Sequence, residues 1–551
     1  MNASRHRLPA LAVVFAALVA VSWPGRGWGQ FVYVNNNIGG SNSISAFEVG
    51  AGGTLSAVPG SPFLTGGGGS FPQDVDAIDM VVAGMRLYAT NAVSNNVAAF
   101  DIKTDGSLVT IPGSPFPTLG TRPAGIAINS TGTRLFAAHF NSSNVAVFDI
   151  ASNGALTLVP GAPFSATGGP LALAIDTASS LLFASLSSAN GVGVYTIAGN
   201  GSLSAIVGSP FAAGGGERGL DVNAAKTRLY VADSMNNTVS GFDIGGGGTL
   251  SPVTGTSFSA GTEPTGVLFH PSLNVLYVSN DQSNDIYVYS IAGNGSLSQI
   301  SGSPFPAGGA GVNGAAGMVI DPKSNLLFLV NGGSNGSPGR SVSVFRISAT
   351  DGSLTAVGGS PFTTGAGSGS PSSIALANVC GVAPMTGCRT AGKTSLSIKQ
   401  VVPSSKDSLS WKWKTGASTT QEEFGLPFLT RTYALCVYDN SGLVFSARVS
   451  GDATCGTVPC WTMIKSTGLK YKDKQLASDG ISAITAKAST EAKSSIQLKA
   501  KGANQPLALL PFTSPVTVQF INTASGVCFQ SSYSSGQISK NLGTQFSAKT
   551  P

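Results

Sequence analysis

Three aromatic positions recur seven times each between residues 33 and 362. One series is Tyr33, Tyr88, Phe136, Phe183, Tyr230, Tyr277 and Phe328. A second is Phe47, Phe100, Phe148, Tyr195, Phe242, Tyr289 and Phe345. A third is Phe63, Phe116, Phe164, Phe211, Phe258, Phe305 and Phe362, most of them following Ser-Pro. In the middle of the chain the interval is 47 or 48 residues. A unit of that size cannot bury its apolar face alone, so an array held in register over seven cycles must stack its units side by side.

Residues 124–164 show what one cycle contains. A short apolar run, Gly125–Ile128, is followed by the turn residues Ser130–Thr133 and a second strand, Arg134–Ala138. Asn141–Asn144 forms the next turn, because Asn and Ser satisfy tight-turn backbone groups. Val145–Ile150 alternates with the period of a strand, Asn153-Gly154 is a hairpin signal, and Ala155–Val159 completes four strands. Four short strands in a repeat of this length predict a propeller blade. The first cycle begins at Phe31 with its second strand, and a spare first strand, Ser373–Leu376, follows the last cycle. Pairing the two closes residues 30–379 into seven blades without a free edge.

Residues 1–29 read as a signal peptide. Arg5 and Arg7 precede the apolar stretch Leu8–Trp23, and the small residues Gly27 and Gly29 place cleavage before Gln30. The stretch is short for a bilayer of about 30 Å, so a cleaved signal is expected rather than an anchor, with no membrane span elsewhere. The destination is the periplasm or the exterior. Charge divides the remainder. Residues 30–388 carry 10 basic and 17 acidic side chains, a net of −7, whereas residues 389–551 carry 18 and 8, a net of +10. Opposite fields argue for two domains.

The repeat stops near residue 380. Short alternating runs such as Ser408–Trp413, Tyr433–Tyr438 and Val516–Ile521 follow, with no helical period. The expected architecture is therefore all-β, a seven-bladed β-propeller followed by a smaller disulfide-bearing β-sandwich at 392–551, joined by a linker at 380–391. All six cysteines lie in this part, and an even count in an exported chain reads as disulfides. Short loops suggest Cys380–Cys388 and Cys455–Cys460, leaving Cys436–Cys528, out of 15 pairings that six cysteines allow. Zinc is disfavoured by the missing His and C-x-x-C spacing.

In a blade of this strand order, the ends of the second strands and the connections between blades share one face. The first group is Asn36, Asn91, His139, Leu186, Asp233, Asn280 and Asn331, and the connections add Arg122, Glu217, Arg218 and Glu263. This ring is the expected ligand-binding face, for an unknown small molecule, glycan or protein. His270, before Pro271, reads as a surface turn residue. The Asn and Asp clusters, such as Asp281–Asp285 and Asn35–Asn37, are read as turn chemistry and follow no calcium loop, so neither a metal nor a cofactor is expected.

The segments Leu229-Tyr230-Val231-Ala232-Asp233 and Leu276-Tyr277-Val278-Ser279-Asn280, with the Ser-Pro-Phe blade ends, resemble the YVTN-type repeats of the lactonase-like propellers. That family includes propeller-type 6-phosphogluconolactonases and fungal carboxymuconate cyclases. The resemblance covers about residues 30–380. It implies a lactone hydrolase in which His139, Glu217 and Arg218 supply a base and cations for the carboxylate and oxyanion. The family's Gly-Pro-Arg-His motif matches Gly216-Glu217-Arg218-Gly219, with the arginine kept and the histidine replaced by Gly219. An exported, noncatalytic binding propeller, monomeric, is therefore the favoured expectation, with a lactonase as the alternative. Tyr433–Asp439 and Lys470–Lys474 resemble a C-terminal domain seen in secreted proteins of some environmental bacteria. Its charge, with Trp411, Trp413 and Trp461, suggests a polyanion other than nucleic acid.

Overall fold

The computed structural model describes residues 30–551 except 70–78, 309–314, 333–339, 426–431, 503–509 and stretches of one to four residues. The signal segment lies outside the described residues. Seven antiparallel sheets form the N-terminal part, and they follow one plan. In the third blade the inner strand Pro123–Ile128 pairs with Arg134–His139, which pairs with Asn144–Ile150, which pairs with Leu156–Leu158.

The structure adds one feature to the four-strand reading. Each outer strand is broken, and its second half returns to the start of the third strand, as Phe164 does opposite Val145. The break leaves a third-strand amide without a backbone acceptor. The serine of Ser-Pro-Phe supplies one. The amides of Ala46, Ala99, Val194, Val288 and Val344 donate to Ser61, Ser114, Ser209, Ser303 and Ser360 at 2.8 to 2.9 Å. The recurrent tripeptide is thus a patch for an unpaired donor.

Blades are stitched by the first aromatic series. The hydroxyls of Tyr33, Tyr88 and Tyr277 donate to the carbonyls of Gly106, Gly154 and Gly352 in the next blade's hairpin, at 2.8, 3.0 and 2.9 Å. These glycines hold φ of 82°, 87° and 77°, the left-handed region. The ring closes as expected. Ser373–Asn378 pairs antiparallel with Gln30–Asn35, with Ala375 opposite Tyr33 and Leu376 opposite Val32.

Residues 391–549 form a sandwich of an eight-stranded and a four-stranded sheet. Trp411, Trp413, Tyr433, Phe520 and Phe529 are in its core. Trp411 Nε1 donates to Ser531 Oγ at 3.0 Å and Trp413 Nε1 to the Gln530 carbonyl at 3.1 Å. The tryptophans expected to meet a polyanion, Trp461 included, are therefore internal, at 0 to 1% exposure. Their apolar area outweighs any surface role.

The expected cysteine pairing is corrected. The bonds are Cys380–Cys436, Cys388–Cys528 and Cys455–Cys460. Only the last matches. The described residues of the segment read as a linker lie over the outer side of the four-stranded sheet, where Cys380 packs with Ala434, Tyr438 and Ile521. Gln519 Nε2 donates to the Met385 carbonyl at 2.8 Å, and the Arg389 amide to Cys528 at 2.9 Å. Local spacing favoured Cys380 with Cys388, but Cys380 lies over the strand of Cys436, Met385 over that of Gln519 and Cys388 over that of Cys528, so each cysteine meets the strand beneath it. No helix among the described residues is long and apolar enough to cross a membrane.

Candidate functional site

The ring residues do share one face, but the blades bury them. Asn36, Asn91, His139, Leu186, Asp233, Asn280 and Asn331 are all at 0% exposure. Most bind the third strand of their own blade. Asn36 donates to Ser43 and Ser45 at 3.0 and 2.9 Å, and Asn331 to Ser341 and Ser343 at 3.0 and 2.8 Å. Asn91 donates to Asn96 and Asn280 to Asp285, both at 2.8 Å. Asp233 accepts from Thr238 and Ser240 at 3.1 and 2.7 Å.

They also receive the incoming connection. The Gly214 amide donates to Asp233 at 3.2 Å and the Gly261 amide to Asn280 at 3.1 Å. A Cβ on Gly120, Gly214 or Gly261 would lie 2.4 to 2.7 Å from the ring side chain beneath it. The glycine-rich connections are therefore lids on the ring. His139 lies under Gly120 in the third blade, with no hydrogen-bond partner on either nitrogen. Burial holds its pKa down at about 4. It is a neutral imidazole in a packed site.

Glu217 and Arg218 begin the inner strand of the fifth blade, Glu217–Val222, two blades from His139. The three candidates are not brought together. Glu217 sits where other blades have Pro123, Pro170 and Pro264. It is at 0% exposure and neither carboxylate oxygen has a hydrogen-bond partner. The neighbouring fourth blade supplies no side-chain partner, because its ring pair is Leu186 opposite Gly191. Burial pushes the Glu217 carboxyl up to about 7, and the nearby Asp233 adds to the rise.

Arg218 pairs with Glu263 at 3.0 Å. Beside them lies Asp281, at 1% exposure. Burial pushes its carboxyl up to about 7, with Glu263 raising and Arg218 lowering it. Sequence reading took Asp281 for turn chemistry. The available signal was positional, since the equivalent residues of other blades are Ala92, Phe140, Ser187 and Ser234. Arg122 lies 4.7 Å over the Phe140 ring, against the third blade rather than this sector. His270 is corrected from the surface to 7% exposure, where Nδ1 accepts from the Ser272 and Leu273 amides at 3.2 and 2.9 Å.

The Glu217 environment carries a stability prediction. Below about pH 4.5 both folded and unfolded chains are protonated there and the group is neutral to stability. Above it the unfolded chain ionises while the folded one keeps its proton to about 7, so stability is lost through that window. The loss amounts to roughly 3 kcal/mol. Glu217→Gln is expected to raise the thermal midpoint at pH 8 and leave it unchanged at pH 4. Equal midpoints for variant and native protein at pH 8 would show that the carboxylate is solvated.

Gly219 admits no side chain. Its Cβ would lie 2.5 Å from the Thr265 carbonyl oxygen of the next inner strand. Gly125 is equally tight, 2.3 Å from the Leu171 oxygen.

Solved structures with the same fold include a Lactobacillus plantarum protein, 16% identical, with TM-score 0.52 over 64% of this chain and 100% of its own. A 6-phosphogluconolactonase candidate from Bacteroides fragilis is 17% identical, with TM-score 0.51 over 63% and 98%. The Pseudomonas aeruginosa periplasmic gluconolactonase is 19% identical, with TM-score 0.50 over 64% and 99%. No curated protein matches the chain. The family model described as lactonase, 7-bladed beta-propeller, matches residues 84–262 and 242–366, and the chain belongs to that family.

Proposed function

We propose that this is an exported propeller of the lactonase family that binds a ligand at its ring face without hydrolysing it. The observation that carries this reading is the close approach at Gly219, where the neighbouring strand leaves no room for the family's histidine. The isolation of His139 from Glu217 and Arg218 supports it. The ligand-facing groups of this reading are Arg218 and Glu263, with Glu217 and Asp281 buried behind them, in the sector where the ring departs from its Asn pattern. A buried carboxyl that weakens the fold at neutral pH is a feature retained for a task other than stability.

Three disulfides suit an oxidising compartment. With Arg5, Arg7 and the apolar stretch Leu8–Trp23 they support a cleaved signal peptide and a periplasmic or extracellular site. One arrangement favours hydrolysis instead. Glu217, whose carboxyl burial raises to about 7, has the pKa of a general base.

A panel of sugar and aromatic lactones separates the two readings. The expected result is no turnover above the buffer rate by the native protein. Turnover that falls at least about 100-fold in both Glu217→Gln and Arg218→Ala would establish the lactonase reading and end the noncatalytic one.

A further inference from the structure

We propose that the outer face of the eight-stranded sheet is a docking surface for an extended acidic polysaccharide, one carrying uronate or sulfate groups. The sheet runs in the order 461–463, 468–472, 481–487, 494–501, 408–416, 391–399, 545–549 and 538–542. Period-two alternation sends Trp411, Trp413, Ile496 and Leu498 into the core. The opposite positions are lysines. Eleven of them project from these strands, all exposed.

Register sets them in rows across the sheet. One row reads Lys470, Thr485, Gln497, Lys412, Ser395, Lys549. The next places Lys472, Lys499 and Lys540 on the same face. No acidic residue lies in any strand of the sheet. Asp407 and Asp473 adjoin it but are buried, at 4% and 3% exposure. Among the described residues, no ion pair involves any of the eleven lysines.

Strands lie about 4.8 Å apart, so Lys412 and Lys549, two strands apart, have backbones separated by roughly 10 Å, about one Debye length at 0.1 M salt. The charges therefore act jointly on a polyanion laid across the strands. Like charges at this density repel, which a packed surface gains nothing by keeping. The face is also turned from the propeller. Arg448, on the outer side of the four-stranded sheet, pairs with Glu48 of the first blade at 2.9 Å.

The chemistry between the lysines selects among polyanions. Ser, Thr and Gln offer hydroxyl and amide groups to sugar hydroxyls. Nothing in these rows inserts into a bilayer, and no aromatic ring is present to stack a base. Cations and hydroxyls without aromatics fit a charged glycan.

The test uses the full mature chain with polygalacturonate and heparin as probes, dextran as the neutral control, and anionic phosphatidylglycerol vesicles and a duplex DNA as rivals. At about 0.1 M salt, polygalacturonate or heparin is expected to bind at least tenfold tighter than vesicles or DNA. The triple variant Lys412→Glu, Lys470→Glu, Lys499→Glu should lose that binding at least tenfold. The matching Lys→Arg triple should keep it, with an unchanged thermal midpoint confirming the fold in both. No binding to either glycan, binding unaffected by the reversal, or tighter binding to vesicles or DNA would each overturn the assignment.

Discussion

Ile374→Asp is expected to open the propeller. Ile374 lies in the closing strand, opposite Val34, at 7% exposure. It packs with Val34, Val330 and Val344, so it joins the first blade to the seventh. A carboxylate there has no partner and no water, a change that costs upwards of about 4 kcal/mol. Propeller stability totals on the order of 10 kcal/mol, so the thermal midpoint should fall steeply and residues 30–63 should become the first protease target. Ile374→Val removes one methylene, costs about 1 kcal/mol, and should keep the ring closed. If Ile374→Asp kept the native midpoint and protease resistance, closure by this strand would not be what holds the first blade.

The second large effect is in the sandwich. Cys388–Cys528 spans 140 residues, and Cys455–Cys460 spans 5. In the chain-entropy account the longer crosslink contributes about 5 kcal/mol and the shorter about 2. Cys388→Ser with Cys528→Ser should therefore lower the sandwich transition in calorimetry by clearly more than Cys455→Ser with Cys460→Ser, and leave the propeller transition in place. Cys528 is also buried with Cys436 and Ile521, so its loss loosens packing beneath Cys388. Equal losses from the two pairs would mean that the long bond closes an already ordered loop. A simultaneous loss of the propeller transition would mean that the two domains unfold as one.

Much of the fold was legible because its determinants are local. Tyr33, Tyr88 and Tyr277 mark the repeat by side chains that both fill the space between blades and bond the next hairpin, so their spacing is the spacing of the blades. The spare strand at Ser373–Leu376 was identifiable because one cycle lacked a first strand and no other segment matched it.

The candidate site was legible only in part. Strand order places Asn36, His139 and Asp233 on one face. It says nothing of Gly120 and Gly214 coming down over them, because that depends on how closely adjacent blades pack. Asp281 was missed for the same reason, since a turn residue and a buried carboxyl differ only in what lies opposite.

The chain's own pattern determined the number of blades and the closing strand. These are properties of periods two and 47, which neighbouring residues carry between them. Tertiary structure alone decided that Cys380 meets Cys436, that the ring is sealed, that Glu217 lacks a partner and that eleven lysines from seven strands share one uninterrupted face. Each of these depends on residues distant in sequence and on register between strands, which no local spacing encodes.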